Sequence, residues 1–337
     1  MSGKDCEEFS LARSSRAKSR DAAQRFAKTL FTLAPSNTRI GLAVSGGPDS
    51  LALLLLAHEA IHGGFEVATV DHGLRSESAA EALSVATLCD RLGIPHTTLA
   101  VQVAPIGNLQ ANARAARYAA LGAWANTRNL GAIVTAHHAD DQAETLLMRL
   151  ARGAGARGLA GMRSASPVPG HPGLALLRPL LGWRKAELAA IVVRAGIDPV
   201  RDPSNADLRF ERAQVRARLA AAPWLDLLAL AASAAHLGEA DAALDWAAVR
   251  EWDEQVTQGE ARLSYCPTAP RAIRLRVLER IIAVLGHEGT PRGAAIARLD
   301  DALGAGRIAT LGGVRAQSKA DGWCFTPAPP RKPPAAD

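Results

Sequence analysis

A glycine-rich hexapeptide near the start of the chain has the composition of a phosphate-binding loop. It follows the apolar run 39–44 and consists of Ser45, Gly46, Gly47, Pro48, Asp49 and Ser50. Glycines let backbone N–H groups approach an anion closely, and the start of the following helix favours negative charge. The serine hydroxyls can donate to phosphate, and Asp49 can hold a Mg²⁺ ion that rides on phosphate oxygens. The simpler interpretation is a tight turn whose Ser and Asp side chains cap the helix.

A second polar cluster combines two histidines with three carboxylates. The segment HHADDQAET contains His137, His138, Asp140, Asp141 and Glu144. Positions 140 and 144 are four apart and positions 141 and 144 are three apart, so on a helix these carboxylates lie on adjoining faces. Like charges this close repel each other, which predicts a neutralising cation. Two alternatives stay open: acidic enrichment in a first helical turn, and a metal site that His72 could join.

The charge of the chain is distributed unevenly. The net charge is +6, and residues 1–220 hold 26 basic and 19 acidic side chains, whereas residues 221–337 hold 13 and 14. A polyanionic partner would therefore meet mainly the first two-thirds of the chain. Arg209, Arg212 and Arg216 are spaced three and four apart and form one helical stripe. This stripe is either a solvated face or a contact for nucleic-acid phosphates.

The predicted strands and helices explain how these motifs can meet. Short apolar runs occur at 39–44, 65–70, 96–101 and 132–135, and helical patterns lie between and after them, at 51–61, 78–92, 109–125 and 139–150. This alternation is typical of βαβ crossovers and predicts an α/β fold with a mostly parallel sheet flanked by helices. Ligands of such sheets bind at the carboxyl ends of the strands, where the polar motifs lie. The Gly- and Pro-rich stretch 152–173 predicts a mobile loop.

The order of the motifs resembles that of one enzyme family. SGGPDS after a first strand is similar to the loop of the N-type ATP pyrophosphatases, which split ATP between the α- and β-phosphates. The later motifs resemble those of the tRNA(Ile)-lysidine synthetases; they are 71–75, 108–110 with Arg114 and Arg117, 137–145, 178–181 and 202–205. The resemblance covers residues 38–218 and departs at Ala154 and Ala213, where the family usually has Ser and Asn. It implies a fold of the adenine nucleotide alpha hydrolase type.

The resemblance implies an ATP-dependent reaction on transfer RNA. ATP adenylates the C2 oxygen of the wobble cytidine, at position 34 of a tRNA(Ile) with a CAU anticodon, and pyrophosphate leaves. The ε-amine of free L-lysine then attacks C2 and displaces AMP, which gives lysidine. The implied partners are this tRNA and lysine, the implied cofactor is Mg²⁺, and the protein is expected to be a monomer or a homodimer.

The residue roles follow from the same resemblance. The residues expected to be catalytic are Asp49, Arg114, Asp140, Asp141 and Glu144. The nucleotide is expected at the hexapeptide 45–50 and at His137. Substrate binding is expected at Asp71, His72, Arg75, Arg117, Asp141, Glu144, Arg178, Arg212 and Arg216. Without the family, Arg114 and Arg117 would be interpreted as the solvated face of an amphipathic helix.

The length of the chain predicts two domains, since 337 residues at about 150 per domain allow each its own core. The predicted parts are a flexible extension at 1–20, a catalytic domain at 21–220, a helical connector at 221–258, a small α+β domain that contacts tRNA at 259–326, and a disordered Pro-rich tail at 327–337. The small domain is expected to bind tRNA through individually placed arginines rather than through bulk charge.

The apolar and cysteine patterns predict the compartment and exclude some functions. The longest apolar run, 51–57, is far shorter than the roughly 20 residues of a membrane span, so no membrane association is expected. The cysteines Cys6, Cys89, Cys266 and Cys324 form no CxxC pair, which indicates a reduced, cytoplasmic protein. Their spacing also disfavours the runner-up, a tRNA thiolase of the same superfamily. A non-catalytic tRNA-binding module is the alternative from another class.

Overall fold

The computed structural model describes most of the chain. The described residues are 19–35, 37–61, 63–73, 77–104, 107, 109–200, 207–287, 289, 291 and 293–329. The chain divides into two compact units, residues 1–238 and 239–337. Most of the predicted extension 1–20 and of the predicted tail 327–337 lies outside the described residues. The predicted domain boundaries therefore stay a prediction.

The first unit alternates helices with strands along the chain. Its strands are β1 (Ile40–Ala43), β2 (Phe65–Asp71), β3 (His96–Ala100), β4 (Ala132–Val134), β5 (Ala165–Val168) and β6 (His171–Leu177). Its helices are α1 (residues 19–33), α2 (Pro48–Ala60), α3 (Ser78–Arg91), α4 (Leu109–Thr127), α5 (Ala139–Leu150), α6 (Ala156–Leu159), α7 (Lys185–Arg194) and α8 (Glu211–Ala220).

The strands of the first unit form one sheet in the order β3-β2-β1-β4-β6-β5. All neighbours pair in parallel except β5 and β6, which are antiparallel. Ile40 of β1 lies opposite Phe65 of β2 and opposite Ala132 of β4, and all three residues are buried. A strand that is apolar throughout is expected where helices cover both faces of a parallel sheet. The predicted mostly parallel α/β fold is confirmed.

Residues 165–177 correct one expectation from the sequence. The Pro- and Ser-rich segment that was expected to be a mobile loop forms the hairpin β5–β6, with Gly170 at its turn at φ +80°. Leu174, Leu176 and Leu177 of β6 are buried, and β6 extends the sheet next to β4. The burial of these leucines outweighs the loop-like composition of the flanking residues.

The second unit is built on an antiparallel sheet. Its strands are β7 (Val256–Gly259), β8 (Arg262–Tyr265), β9 (Ile308–Leu311), β10 (Val314–Lys319) and β11 (Gly322–Pro327), in the order β7-β8-β11-β10-β9. Its helices are α10 (Arg271–Leu285) and α11 (Gly293–Gly304). Buried side chains such as Val277, Ile281 and Leu299 form its separate core. The predicted small α+β fold of the C-terminal part is confirmed.

Helix α9 (Leu227–Gln255) spans the division between the two units and is the longest of the helices described. An 18-residue window within it has a mean hydropathy of 1.2, enough to cross a membrane by length and composition alone. The core helix of a soluble protein meets the same test. The helix also carries Asp241 and Asp245, both of which pair with Arg276 of α10. The absence of membrane association stays a prediction.

The contact between α4 and β1 predicts the effect of a substitution at Gly41. A Cβ atom at this position would lie 2.4 Å from Cζ3 of Trp124 and 2.8 Å from Cδ1 of Leu130, and both side chains are buried. We expect Gly41→Ala to lower the free energy of unfolding by about 1–3 kcal/mol, because overpacking a core costs this much. The matched control is Gly173→Ala in β6, where the added Cβ meets open space. If the two variants had equal urea midpoints, the close packing of Gly41 against Trp124 and Leu130 would be contradicted.

Candidate active site

The segment 45–50 joins β1 to α2 and leaves the start of the helix open. Gly46 adopts φ +83°, a conformation that favours glycine, and Gly47 is the N-cap residue without a side-chain cap. The Ser50 hydroxyl accepts from the backbone N–H of Ser45 at 3.1 Å and donates to the Gly47 carbonyl at 2.9 Å. This arrangement contradicts the simple capping interpretation. The N–H groups of the first turn of α2 are oriented as in an anion site.

Asp49 lies in the first turn of α2, where it meets the N-cap residue of α5. Its Oδ2 lies 3.5 Å from Nε2 of His138, and Oδ2 of Asp141 lies 3.5 Å from the same nitrogen. Burial disfavours the charged ring, but the hydrogen bond to Asp49 and the charges of Asp141, Asp49 and Asp140 outweigh it and raise the pKa of His138. This contact joins the loop after β1 to the loop after β4.

One carboxylate oxygen at this contact has unused bonding capacity. Oδ1 of Asp49 is buried and has no hydrogen-bond partner among the described residues. A buried carboxylate oxygen is costly unless a donor or a cation reaches it. The residues present therefore fit the predicted Mg²⁺, with Asp49 as its protein ligand.

Two of the three α5 carboxylates are held by the ends of helices. Asp141 accepts from the backbone N–H of His138 at 3.1 Å and closes a capping box. Asp140 accepts from Nε of Arg184 at 3.2 Å and from the backbone N–H of Lys185 at 3.0 Å, at the start of α7. The alternative of acidic enrichment in a first turn thus describes part of the role of Asp141. It does not describe Asp140, which binds a second helix.

Glu144 is 2% exposed and lies between two arginines of α8. Its Oε2 is 3.1 Å from Nε of Arg212, and its Oε1 is 2.8 Å from Nε of Arg216. The neutralising cation that the sequence predicts is therefore supplied for Glu144 by two arginines of the chain itself, Arg212 and Arg216. The basic stripe is divided, because Arg212 and Arg216 face α5 whereas Arg209 pairs with Asp207 at the surface.

Arg114 acts on two further arginines near the same edge of the sheet. Burial lowers the pKa of Arg178, and the charge of Arg114 lowers it further. Burial also lowers the pKa of Arg117, with a smaller contribution from Arg114. The side chains of Arg114 and Arg117 are exposed to solvent. Repulsion between Arg114 and these guanidinium groups favours the binding of an anion.

His137 lies within the field of these arginines. Burial lowers its pKa to about 4, and Arg178, Arg114 and Arg212 act in the same direction against the opposing charge of Asp141. Its Nδ1 lies 2.9 Å from the Thr135 hydroxyl. The imidazole is therefore neutral at physiological pH and can accept or donate one hydrogen bond through its other nitrogen.

His72 lies just after β2 and has both ring nitrogens buried without a hydrogen-bond partner among the described residues. Burial lowers its pKa, and the charge of Arg117 adds to this effect. Unpaired buried polar groups cost about 1–3 kcal/mol each, so this ring is suited to a polar ligand. The alternative of a histidine-bound metal that His72 joins is not supported, because in the described part of the chain no three His, Cys, Asp or Glu side chains are grouped to hold one.

The segment 71–75 contains two further residues that were predicted to bind substrate, Asp71 and Arg75. Asp71 organises the end of β2, since its Oδ1 accepts from the backbone N–H of Gly73 at 2.9 Å. A hydrogen bond from Ser78 and this backbone bond lower the pKa of Asp71. Arg75 lies outside the described residues, as does the motif 202–205. The role of Arg75 stays a prediction.

Comparison with known proteins identifies the family. Residues 18–222 match the family model described as a PP-loop domain. The chain is 54% identical over 310 residues to the tRNA(Ile)-lysidine synthase of Novosphingobium aromaticivorans, which covers 91% of this chain and 94% of that protein. The chain belongs to the tRNA(Ile)-lysidine synthase family. A second relative with this name, from Zymomonas mobilis, is 40% identical over 301 residues and covers 88% of this chain and 91% of its own.

A solved structure shares the fold of this tRNA(Ile)-lysidine synthase family member. The U34-tRNA thiolase NcsA from Methanococcus maripaludis, with its [4Fe-4S] cluster, matches with a TM-score of 0.52 and 16% identity. The match covers 64% of this chain and 77% of the thiolase. Identity this low shows a common fold and carries no argument about chemistry. The predicted α/β fold is thereby confirmed.

Two residues of this tRNA(Ile)-lysidine synthase site were not singled out from the sequence. Arg184 and Lys185 hold Asp140 from α7. The sequence carries no signal for these contacts, because 44 and 45 residues separate Asp140 from Arg184 and Lys185. The contact of His138 with Asp49 carries no such signal, because it depends on the pairing of β1 with β4.

The lowered pKa of His137 predicts a pH dependence of stability. The folded protein keeps this ring neutral down to a pH of about 4, whereas the unfolded chain takes up a proton near about 6.5. Unfolding therefore takes up a proton in this window, and the free energy of unfolding falls as the pH falls through it. We expect His137→Asn to lose less stability between about pH 7.5 and pH 5 than the wild type.

The measurement is urea unfolding at both pH values. His58→Asn, at an exposed position of α2, is the control and is expected to keep the wild-type dependence. An unchanged difference between the two pH values in His137→Asn would show that the ring is not desolvated.

Proposed function

We propose that this protein joins free L-lysine to C2 of the wobble cytidine, position 34, of a CAU-anticodon tRNA(Ile). ATP is consumed to AMP and pyrophosphate through an adenylated cytidine, and the product is lysidine. The observation that carries this proposal is the adjacency of two sites on one sheet edge. The open start of α2 suits a phosphate, and Asp49 of that helix contacts His138, which begins the helix bearing Asp140, Asp141 and Glu144. The named relatives support the same reaction.

The first step needs positioning and charge neutralisation more than covalent help. The phosphates of ATP bind the N–H groups of the first turn of α2 and the hydroxyls of Ser45 and Ser50. Arg114 and Arg117 bind the charge that develops on the α-phosphate as the cytidine oxygen attacks. Mg²⁺, held by Asp49, would neutralise phosphate charge when bound. The neutral His137 and the unpaired nitrogens of His72 hydrogen-bond the nucleotide and the cytidine.

The second step needs a binding site for the lysine ammonium. The amine has a reference pKa of about 10.4, so it arrives protonated and must lose a proton before it attacks C2. Asp140, Asp141 and Glu144 hold the ammonium and accept this proton. Since Arg212 and Arg216 already occupy both oxygens of Glu144, lysine must share or displace one of these guanidinium groups. Entry of lysine is therefore coupled to a change in the pairing of Glu144 with Arg212 or Arg216.

The remaining assignments concern tRNA and the cell. Arg178, and Arg75 with Asp71, contribute to tRNA binding at the ends of β6 and β2, and the second unit contributes further contacts. The protein acts in the cytoplasm, without a membrane, as a monomer or a homodimer. A thiolase is the weaker alternative, because burial raises the pKa of the Cys89 thiol to about 11 and suppresses its nucleophilicity. A non-catalytic tRNA-binding module is also weaker, because it would not need the open start of α2, which suits a phosphate of ATP.

The proposal is tested by lysine transfer. Purified protein, supplied with ATP, Mg²⁺ and labelled lysine, is expected to attach label to a CAU-anticodon tRNA(Ile) transcript. An elongator tRNA(Met) with the same anticodon is the specificity control, and Asp49→Asn is the inactive control because it removes the charge at the phosphate loop. Absence of transfer by the wild type, with sulfur incorporation under thiolation conditions, would favour the thiolase.

The role of Glu144 predicts a separation of the two steps. Glu144→Gln keeps the shape of the side chain and removes its charge, so kcat/KM for lysine is expected to fall by about 10- to 150-fold, the worth of a hydrogen bond to a charged group. Single-turnover release of pyrophosphate is expected to change little. Glu211→Gln, at an exposed position of α8 paired with Arg152, is the control. An unchanged dependence on lysine, in a variant that urea unfolding shows to be folded, would refute this role.

A further inference from the structure

A cavity of about 520 Å³ lies beside α5 and combines charged with apolar walls. Its charged side includes Asp140, Glu144, Arg184, Lys185 and Arg216. Its other side is formed by the turn between α8 and α9, including Pro223, Trp224 and Leu225. The cavity therefore connects the carboxylates of the candidate active site with a segment that none of the roles above explains.

The side chain of Trp224 lines this cavity and is exposed to solvent. Its side chain is 81% exposed, although a tryptophan ring has a large apolar area that favours burial. The turn that carries it is ordered by a hydrogen bond from the Leu225 N–H to the Ala222 carbonyl at 3.0 Å, with Pro223 in the second position. Asp226 then accepts from the Leu228 N–H at 2.8 Å and starts α9. The exposed ring is thus presented on a preorganised turn.

The other tryptophans of the chain are covered differently. Trp183 is buried under the guanidinium of Arg25, at 4.1 Å from the ring centroid. Trp246 is 64% exposed, but Arg250 lies 5.2 Å from its ring centroid. Among the described residues, no guanidinium and no aromatic ring stacks on Trp224. Its face is available to a flat partner.

One cation of the cavity has no carboxylate partner among the described residues, and this favours a nucleotide as the partner of Trp224. Asp140 and Glu144 are already paired with arginines, as described above. Lys185 donates its backbone N–H to Asp140, while its ammonium has no carboxylate partner in the described part of the chain. A free cation next to an open aromatic face matches a phosphate joined to a base, the combination used by proteins that bind single-stranded nucleic acid.

We propose that Trp224 stacks on an unpaired anticodon-loop base next to the wobble cytidine, with Lys185 on the adjoining phosphate. This inference rests on the proposed function, because it places the reacting cytidine near Asp140 and Glu144 in the same cavity. In a CAU anticodon the base that follows the cytidine is adenine, and its large π-face suits the indole ring. Stacking on Trp224 would keep the neighbouring base out of the reaction centre and fix the cytidine in it.

The first test compares kinetic constants. Trp224→Ala is expected to raise KM for tRNA at least about fivefold, from the loss of one base–aromatic contact. Trp224→Phe is expected to stay near the wild type, because it keeps an aromatic face. KM for ATP and for lysine is expected to stay constant in both variants. Trp246→Ala is the matched control for loss of an exposed tryptophan.

The second test detects stacking without catalysis. A tRNA(Ile) transcript with 2-aminopurine in place of the anticodon adenine is titrated with the protein. Fluorescence quenching on binding is expected with the wild type and with Trp224→Phe, and is expected to be lost with Trp224→Ala. Because this readout needs no lysine transfer, failure of the proposed function and failure of this inference are distinguishable.

Three outcomes would overturn the proposal. A rise in KM for lysine with an unchanged KM for tRNA would show that Trp224 contacts the methylene chain of lysine and not a base of the tRNA. Unchanged tRNA binding and unchanged quenching in Trp224→Ala would remove any role in stacking. An equal loss of tRNA affinity in Trp246→Ala would show that the effect is not specific to this cavity.

Discussion

The parallel pairing of β1 between β2 and β4 is the constraint on which the candidate site depends. Because the three strands run in the same direction, the loops that follow them leave the sheet at one edge. The phosphate loop, His72 and the start of α5 come from these loops. The contact of Asp49 with His138 then fixes the distance between the first and the last of them. The start of α2 suits a phosphate and the start of α5 carries carboxylates, and this contact brings the two together.

The electrostatics of this edge follow from the grouping of its charges. The charge of Arg114 lowers the pKa of Arg117 and of Arg178, and burial lowers the pKa of His72 and of His137, so both histidines stay neutral. Of the α5 carboxylates next to them, Asp140 is paired with Arg184, and Glu144 is paired with Arg212 and Arg216. One side of the site is therefore formed by arginines, which favour the binding of anions, and the other side is formed by carboxylates. This division suits a reaction that first handles a triphosphate and then an ammonium ion.

Local patterns allowed the fold and the phosphate loop to be predicted from the sequence. A buried strand, two glycines and a helix start are neighbours in the chain, so their spacing alone indicates the geometry of 45–50. The hairpin β5–β6 could not be predicted, because Pro and Gly suggest a loop and only the burial of Leu174 and Leu176 against the sheet decides otherwise. The pairing of Glu144 with Arg216 also could not be predicted, since 72 residues separate them. The exposure of Trp224 likewise depends on the turn between α8 and α9.

The central claim is that the protein activates the cytidine of the tRNA and not the carboxylate of lysine. The most direct measurement is exchange of labelled pyrophosphate into ATP, with each substrate omitted in turn. We expect exchange that requires the CAU-anticodon tRNA(Ile) and proceeds without lysine, because adenylation of the cytidine precedes lysine attack. Exchange that requires lysine and proceeds without tRNA would contradict it, since lysine would then be the adenylated substrate.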